Sequence, residues 1–332
     1  MSFYVGIDVS KKKIDCLWLR DPQTLKVKSK VFPNQQSGFE QLLTWMEKTL
    51  SPQAEQIHVI MEATGVYHEA LAHALFDHGI RVSIVNPAFV HDFAKGLGLR
   101  NKTDQQDAKL LARYGAMTSP ALWQPAAPEI RELKALLSRL DAVEKDLRRE
   151  RNREEKALVS ASSEAVLQSI RTIVEQLKQE VERLRETIDD HINRHPELKA
   201  DRELLESIPA IGQVMSREMI GLLRSRQFTS ASQAAAFVGL VPRQCESGQW
   251  RGQTRMSKNG NSRLRAKLYL AAVVATRYNP DIQAQYHRLL KAGKSKMQAL
   301  GAAMRKLLQI CFGVLKHHNK YQPQTLIRSA CD

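Results

Sequence analysis

The sequence predicts an α/β amino-terminal domain with a mixed sheet, then a pair of long amphipathic helices, then a mostly α-helical basic region. Three observations carry this. Residues 1–125 alternate strand and helix signals. Residues 126–200 contain no proline between Pro128 and Pro196 and repeat Leu, Ile and Val at three- and four-residue spacing. Residues 201–332 hold the net positive charge.

In order, FYVGIDVS, KIDCLWLRD and LKVKSKVFPN read as three successive strands with short connections. SGFEQLLTWMEKTL follows as a helix. IHVIMEAT is an apolar, branched run suited to a buried strand. VYHEALAHALFDHG reads as a helix ended by Gly79, RVSIVNPA as another strand, and NKTDQQDAKLLARYG as a helix. Beyond the PAAP break, Leu133, Leu136, Leu140, Val143 and Leu147 recur at helical spacing. So do Ile170, Ile173, Leu177, Val181, Leu184, Ile188 and Ile192. The pattern predicts two coiled-coil-like helices, as a hairpin or a dimerisation arm, with a solvated charged face. In the last region LLESIPAIGQVMSREMIGLL reads as helix, tight turn, helix. ASQAAAFVGLVP is a small-residue helix, and a Gly- and Arg-rich loop leads into one more.

The charge narrows the function. Residues 202–332 carry 21 Lys and Arg against 6 Asp and Glu, whereas the first 201 carry 29 of each, so the whole formal charge of +15 lies in one region. A basic imbalance so confined is the footprint of a nucleic-acid partner. No apolar run approaches the ~18 residues of a membrane span, and MSFYVGIDVS enters strand-like sequence without a signal peptide. Cys16, Cys245, Cys311 and Cys331 lack zinc-type spacing, which fits a reducing cytoplasm.

Two constellations bear chemistry. Asp8 and Glu62 end apolar strands, where an unpartnered charge is expensive to bury. Asp104 and Asp107 sit three apart at a helix start. Capping accounts for that pair locally, with Asp104 as N-cap. The other reading is that four carboxylates from two strands and one helix hold two hard cations, roughly 4 Å apart, for phosphoryl transfer. The second constellation is CESGQWRG. Ser247 lies among Arg243, Arg251, Arg255, Lys258, Arg263, Arg265 and Lys267, with Glu246 the one acid between 243 and 267. It is a turn former, or a nucleophile on a phosphate ringed by cations.

GIDVSKKKID, IMEATGVY, VNPA, GLRNKTDQQDAKLLA, LLESIPAIG, FVGLVPRQCESGQWRG and MSKNGNSRLRAKLY, in this order, resemble the DEDD-type insertion-sequence transposases. That family includes a site-specific DNA invertase and bridge-RNA-guided recombinases. The resemblance implies a RuvC-like RNase H fold over 1–125, an assembly region over 126–200 and a transposase domain over 201–332. It implies an acidic tetrad of Asp8, Glu62, Asp104 and Asp107 binding Mg²⁺, with Mn²⁺ as substitute. It also implies that Ser247 joins a DNA 5′-phosphate, in a dimer of dimers whose acidic and serine sites come from different subunits. Target and donor DNA would be chosen by a structured non-coding RNA, leaving the protein to read shape and phosphate. Ala210 stands where the family's hairpin turn has glycine, and Gln249 and Trp250 follow the ESG where small polar residues are usual.

Other classes remain to be set beside this one. GIDVS resembles the first phosphate loop of sugar-kinase and actin-like ATPases, but their second glycine-rich loop is missing. A binding protein of the same fold without activity would not need all four acids and the serine. A RuvC-like nuclease would hydrolyse with water and tolerate loss of Ser247.

Overall fold

The computed structural model describes residues 3–21, 23–50, 53–63, 65–99, 103–243, 246–247, 250–251, 255–258 and 260–324. The chain divides into two compact units, Met1–Pro125 and Ala126–Asp332.

In the first unit, β1 (Phe3–Val9), β2 (Lys13–Asp21) and β3 (Lys26–Pro33) form an antiparallel meander. Then α1 (Gln36–Leu50) leads to β4 (Ile57–Glu62), and α2 (Glu69–Asp77) to β5 (Arg81–Val85). Both of these strands join the sheet parallel to β1. The order β3-β2-β1-β4-β5 makes one mixed five-stranded sheet, compatible with a RuvC-like fold. Then come α3 (Pro87–Gly96) and α4 (Asp104–Thr118). The VNPA segment ends the strand at Val85 and starts a helix that periodicity alone did not announce. Asn86 is its N-cap, accepting from the Ala88 N–H, and Pro87 follows at the first helical position.

The register sorts the sheet's side chains by face. Val5, Ile7, Val9, Cys16, Phe32, Val59 and Met61 pack against Phe39, Leu42 and Met46 of α1 and Leu71 and Leu75 of α2. Gly6, Asp8, Asp15, Leu17, Ile60 and Glu62 share the opposite face by alternation and pairing. That face receives α4, whose Ala108 and Ala112 pack with Leu17 and Leu19.

The second unit opens with α5 (Pro128–Val159) and α6 (Glu164–Arg194), packed as a helical hairpin about 48 Å long at 1.5 Å per residue. Next come α7 (Pro196–Glu206), α8 (Gln213–Leu223) and α9 (Ala231–Val238). The loop that follows carries β6 (Pro242–Arg243), β7 (Glu246–Ser247), β8 (Trp250–Arg251) and β9 (Arg255–Met256). Three more helices finish it: α10 (Ser262–Tyr278), α11 (Pro280–Lys291) and α12 (Lys296–His317). Leu133, Leu140 and Val143 of α5, and Val181, Leu184 and Ile188 of α6, lie in one core with Leu205, Met219, Leu268 and Leu307. Ion pairs fasten the same packing: Arg224 to Asp201 at 2.6 Å, and Arg217 to Asp189. The hairpin and the basic helices therefore share one hydrophobic interior. Among the described residues no helix is long and apolar enough to cross a membrane.

Candidate active site

The acid face is built by a glycine and two alanines. A Cβ on Gly6 would lie 2.6 Å from the Ala112 nitrogen and closer still to the Ala108 carbonyl oxygen. Only glycine lets α4 come this near β1. One turn and more along, Gly115 meets the Ile60 side chain in the same way. With Ala108 at the contact, the first turn of α4 projects beside Asp8, two residues along β1 from Gly6. This is how Asp104 and Asp107 reach the strand acids.

The head of α4 shows which residue caps it. The N-cap is Thr103, whose side chain accepts from the Gln106 N–H at 3.3 Å, and Asp104 is the first helical residue. The alternative reading made Asp104 the N-cap; Thr103 fills that position with a hydroxyl that needs no charge. Both aspartates still gain from the helix dipole.

Asp8 is half-buried, and its carboxyl is raised to about 6, first by burial and then by the charges of Asp107, Asp104, Asp15 and Glu62. Asp8 therefore feels four other carboxylates on this face. Asp15 was missed in the sequence. It pairs directly with Asp8 across β1 and β2, and like charges in that position repel. Their compensation is in part Lys13, whose Nζ lies 2.5 Å from Asp104 Oδ2 and 3.1 Å from Asp15 Oδ2. The hydrogen bonds to Asp104 and then Asp15 raise the lysine's pKa. The turn between the strands is closed by Ser10, whose N–H and Oγ both donate to the Lys13 carbonyl at 3.0 Å. Asn34 ties it to the loop after Glu62, donating to the Ser10 carbonyl at 2.8 Å and to that of Tyr67 at 3.1 Å. The run KKKID held the signal for Lys13 and Asp15: an antiparallel return from GIDVS sets its alternate residues beside Asp8.

The donor set is all carboxylate oxygen, and it carries more negative charge than one ammonium neutralises. That chemistry suits a hard divalent cation. Among the described residues no three acids, histidines or cysteines already close on a common point.

Ser247 belongs to the other unit. Its backbone pairs with Trp250, and that of Glu246 with Arg251, in a two-residue antiparallel ladder. The side chains of Ser247, Trp250 and Arg251 lie outside the described residues, as do Gly248 and Gln249. Arg243 pairs with Arg255 in the neighbouring ladder, and both are exposed. Two guanidinium groups directly opposite repel, and an anion between them would relieve it. Lys258 is exposed. The rest of the basic run is engaged within the fold. Arg263 stands 3.6 Å from Asp141. Arg265 donates to the carbonyls of Val238 and Gly260 at 3.0 Å each. Lys267 pairs with Asp141 at 3.0 Å and with Glu218. Sequence counted these charges as one patch; the helix turns two of them, Arg265 and Lys267, toward partners in the protein.

Two transposase family models match the chain. A DEDD-type IS110 transposase model covers residues 5–162, and an IS116/IS110/IS902 family transposase model covers residues 202–287. Pilin gene-inverting proteins of Moraxella bovis and Moraxella lacunata are each 35% identical over 324 residues, spanning 96% of this chain and 97% of theirs. The transposase for insertion sequence element IS1111A of Coxiella burnetii is 26% identical over 80% of this chain and 79% of its own. The matches fall on both units, on the segment that carries the acids and on the segment that carries the serine loop. This chain belongs to the IS110 family of transposases.

Proposed function

We propose that the chain is a DNA recombinase of an insertion sequence, breaking and rejoining strands through a serine-linked intermediate. The observation that carries this reading is the acid face: α4 lies on β1 at Gly6, and Asp8 is raised to about 6 by burial and then by the charges of Asp107, Asp104, Asp15 and Glu62. The relatives named above, a transposase and two pilin gene-inverting proteins, support the same direction.

In this reading the four acids hold Mg²⁺, with Mn²⁺ as substitute, and the ion supplies positive charge at the phosphoryl oxygens. The Ser247 oxygen attacks phosphorus, the bond to the 3′-oxygen breaks, and that oxygen leaves with a proton. The product is a 5′-phosphoserine link that conserves the phosphodiester for rejoining. Arg243, Arg251, Arg255 and Lys258 contact phosphates; Arg263 joins them at the edge, while Arg265 and Lys267 fix the helix that carries it. Acids and serine stand in separate compact units, which suits a composite site shared between subunits of a dimer of dimers. The hairpin of α5 and α6 serves that assembly. A structured guide RNA pairing with target and donor DNA leaves the protein to recognise backbone and shape.

Protein, RNA and labelled DNA incubated with Mg²⁺ should give an adduct that survives denaturation. Ser247→Ala should abolish it, and Asp104→Asn should abolish strand cleavage while leaving DNA binding intact. Cleavage without any adduct, unaffected by Ser247→Ala, would make the enzyme a hydrolytic nuclease instead.

A further inference from the structure

Lys13 is the residue on the acid face that neither the tetrad nor the serine accounts for. It opens β2, and two residues on, on the same face, lies Asp15. Its ammonium stands between Asp15 and Asp104, joining β2 to the head of α4. The pairing is exposed: the Lys13 side chain keeps 44% of its accessible surface and that of Asp104 55%. Lys267, the structural counterpart in the other unit, keeps 22% and is closed in by Asp141 and Glu218. An enclosed pair is fixed, whereas an exposed one exchanges partners at little cost.

We propose that Lys13 is a tethered counter-cation: it holds Asp104 while no divalent cation is bound, and turns to a DNA phosphate oxygen once Asp104 is taken. This rests on the reading of the acid face as a divalent-cation site. Three features support it. Asp8 feels the charges of four other carboxylates, two of which Lys13 already pairs with, so the ammonium offsets part of that charge before any metal arrives. Lysine suits exchange, being a compact ammonium on a flexible stem with three donors, of which two are used here. Asp15 keeps the ammonium at the rim when Asp104 lets go, beside the exposed Lys11 and Lys12 of the same turn. A phosphate approaching the acids meets that lysine turn first, which offsets the repulsion between carboxylates and DNA.

The test uses the full chain in two arms. In the first, Mn²⁺ binding is titrated without nucleic acid by the electron paramagnetic resonance of free Mn²⁺. Lys13→Gln should bind about twofold to fivefold tighter than wild type, the range set by an exposed ion pair, and Lys13→Arg should restore wild-type affinity. Equal or weaker binding by Lys13→Gln overturns the proposal. In the second arm, duplex binding is followed against salt in Ca²⁺ and in EDTA. Lys13→Gln should lower the slope by about one phosphate contact, ~0.9, in Ca²⁺ and leave it unchanged in EDTA. Identical slopes in Ca²⁺ overturn the transfer to phosphate. If Asp104→Asn binds Mn²⁺ as wild type does, the cation site itself fails. If Asp104→Asn loses Mn²⁺ and Lys13→Gln changes nothing, only the role given to Lys13 fails.

Discussion

At Asp8 a half-buried carboxylate faces four others, and its pKa of about 6 states the consequence for stability. The unfolded chain ionises this group near its ordinary value of 3.8. Between those values the folded state holds a proton that the unfolded state has lost, so stability falls as pH rises from about 4 to about 6 and stays lower above. In metal-free protein, Asp8→Asn should therefore raise the melting temperature at pH 7.5, and the gain should vanish near pH 4. An equal gain at both pH values would mean that charge is not the cause. Such a cost to stability is the trade expected of a group in the proposed active site. Thr103 makes the complementary point. It closes the backbone of α4 with a hydroxyl, so the two aspartates beside it are not needed to start the helix.

At the scale of elements, one close contact decides whether a site exists. Helix α4 lies on β1 at Gly6, where Ala108 and Ala112 face the glycine. Gly6→Ala should push the helix off the strand by more than a methyl's tolerance, abolish strand cleavage and lower the melting temperature by several degrees. Wild-type cleavage by Gly6→Ala would show that α4 need not lie so near. The turn between α7 and α8 offers a test of opposite sign. Ala210 has φ of 80°, in the left-handed region, which costs a non-glycine residue roughly 1–2 kcal/mol. Glycine would remove that strain and give back roughly 0.5–1 kcal/mol in unfolded-chain entropy. Ala210→Gly should thus stabilise the protein by about 0.5–1 kcal/mol in denaturant unfolding. A loss of stability would mean the alanine methyl packs usefully between Ile208 and Ile211. The departure from glycine noted in the sequence falls on a backbone position that glycine would suit.

At the scale of the whole molecule, two cores do separate work. The sheet with α1 and α2 encloses one set of apolar residues, and the hairpin with the six helices after it encloses another. Calorimetry should resolve two transitions, and Asp8→Asn should move only the one belonging to residues 1–125. A single transition shifted as a whole would mean that the units unfold together. Confining acids to one unit and the serine loop to the other lets each be built on a rigid scaffold of its own.

Alternation, apolar periodicity and charge distribution determined much by themselves. They gave five strands in order, most helices and the basic bias of the C-terminal half. These are local patterns, set by which side chains must leave water and at what period. Helix α3 escaped because its start is a cap-and-proline signal inside a strand-like run. Lys13 and Asp15 escaped because their meaning lies in cross-strand register. Arg265 and Lys267 looked like part of a surface patch until helix packing aimed them at Val238, Gly260, Asp141 and Glu218. Only the tertiary structure could decide these points. Linear sequence gives the period of an element, but contact across elements fixes what each side chain faces, and an ammonium or carboxylate takes its role from what it faces.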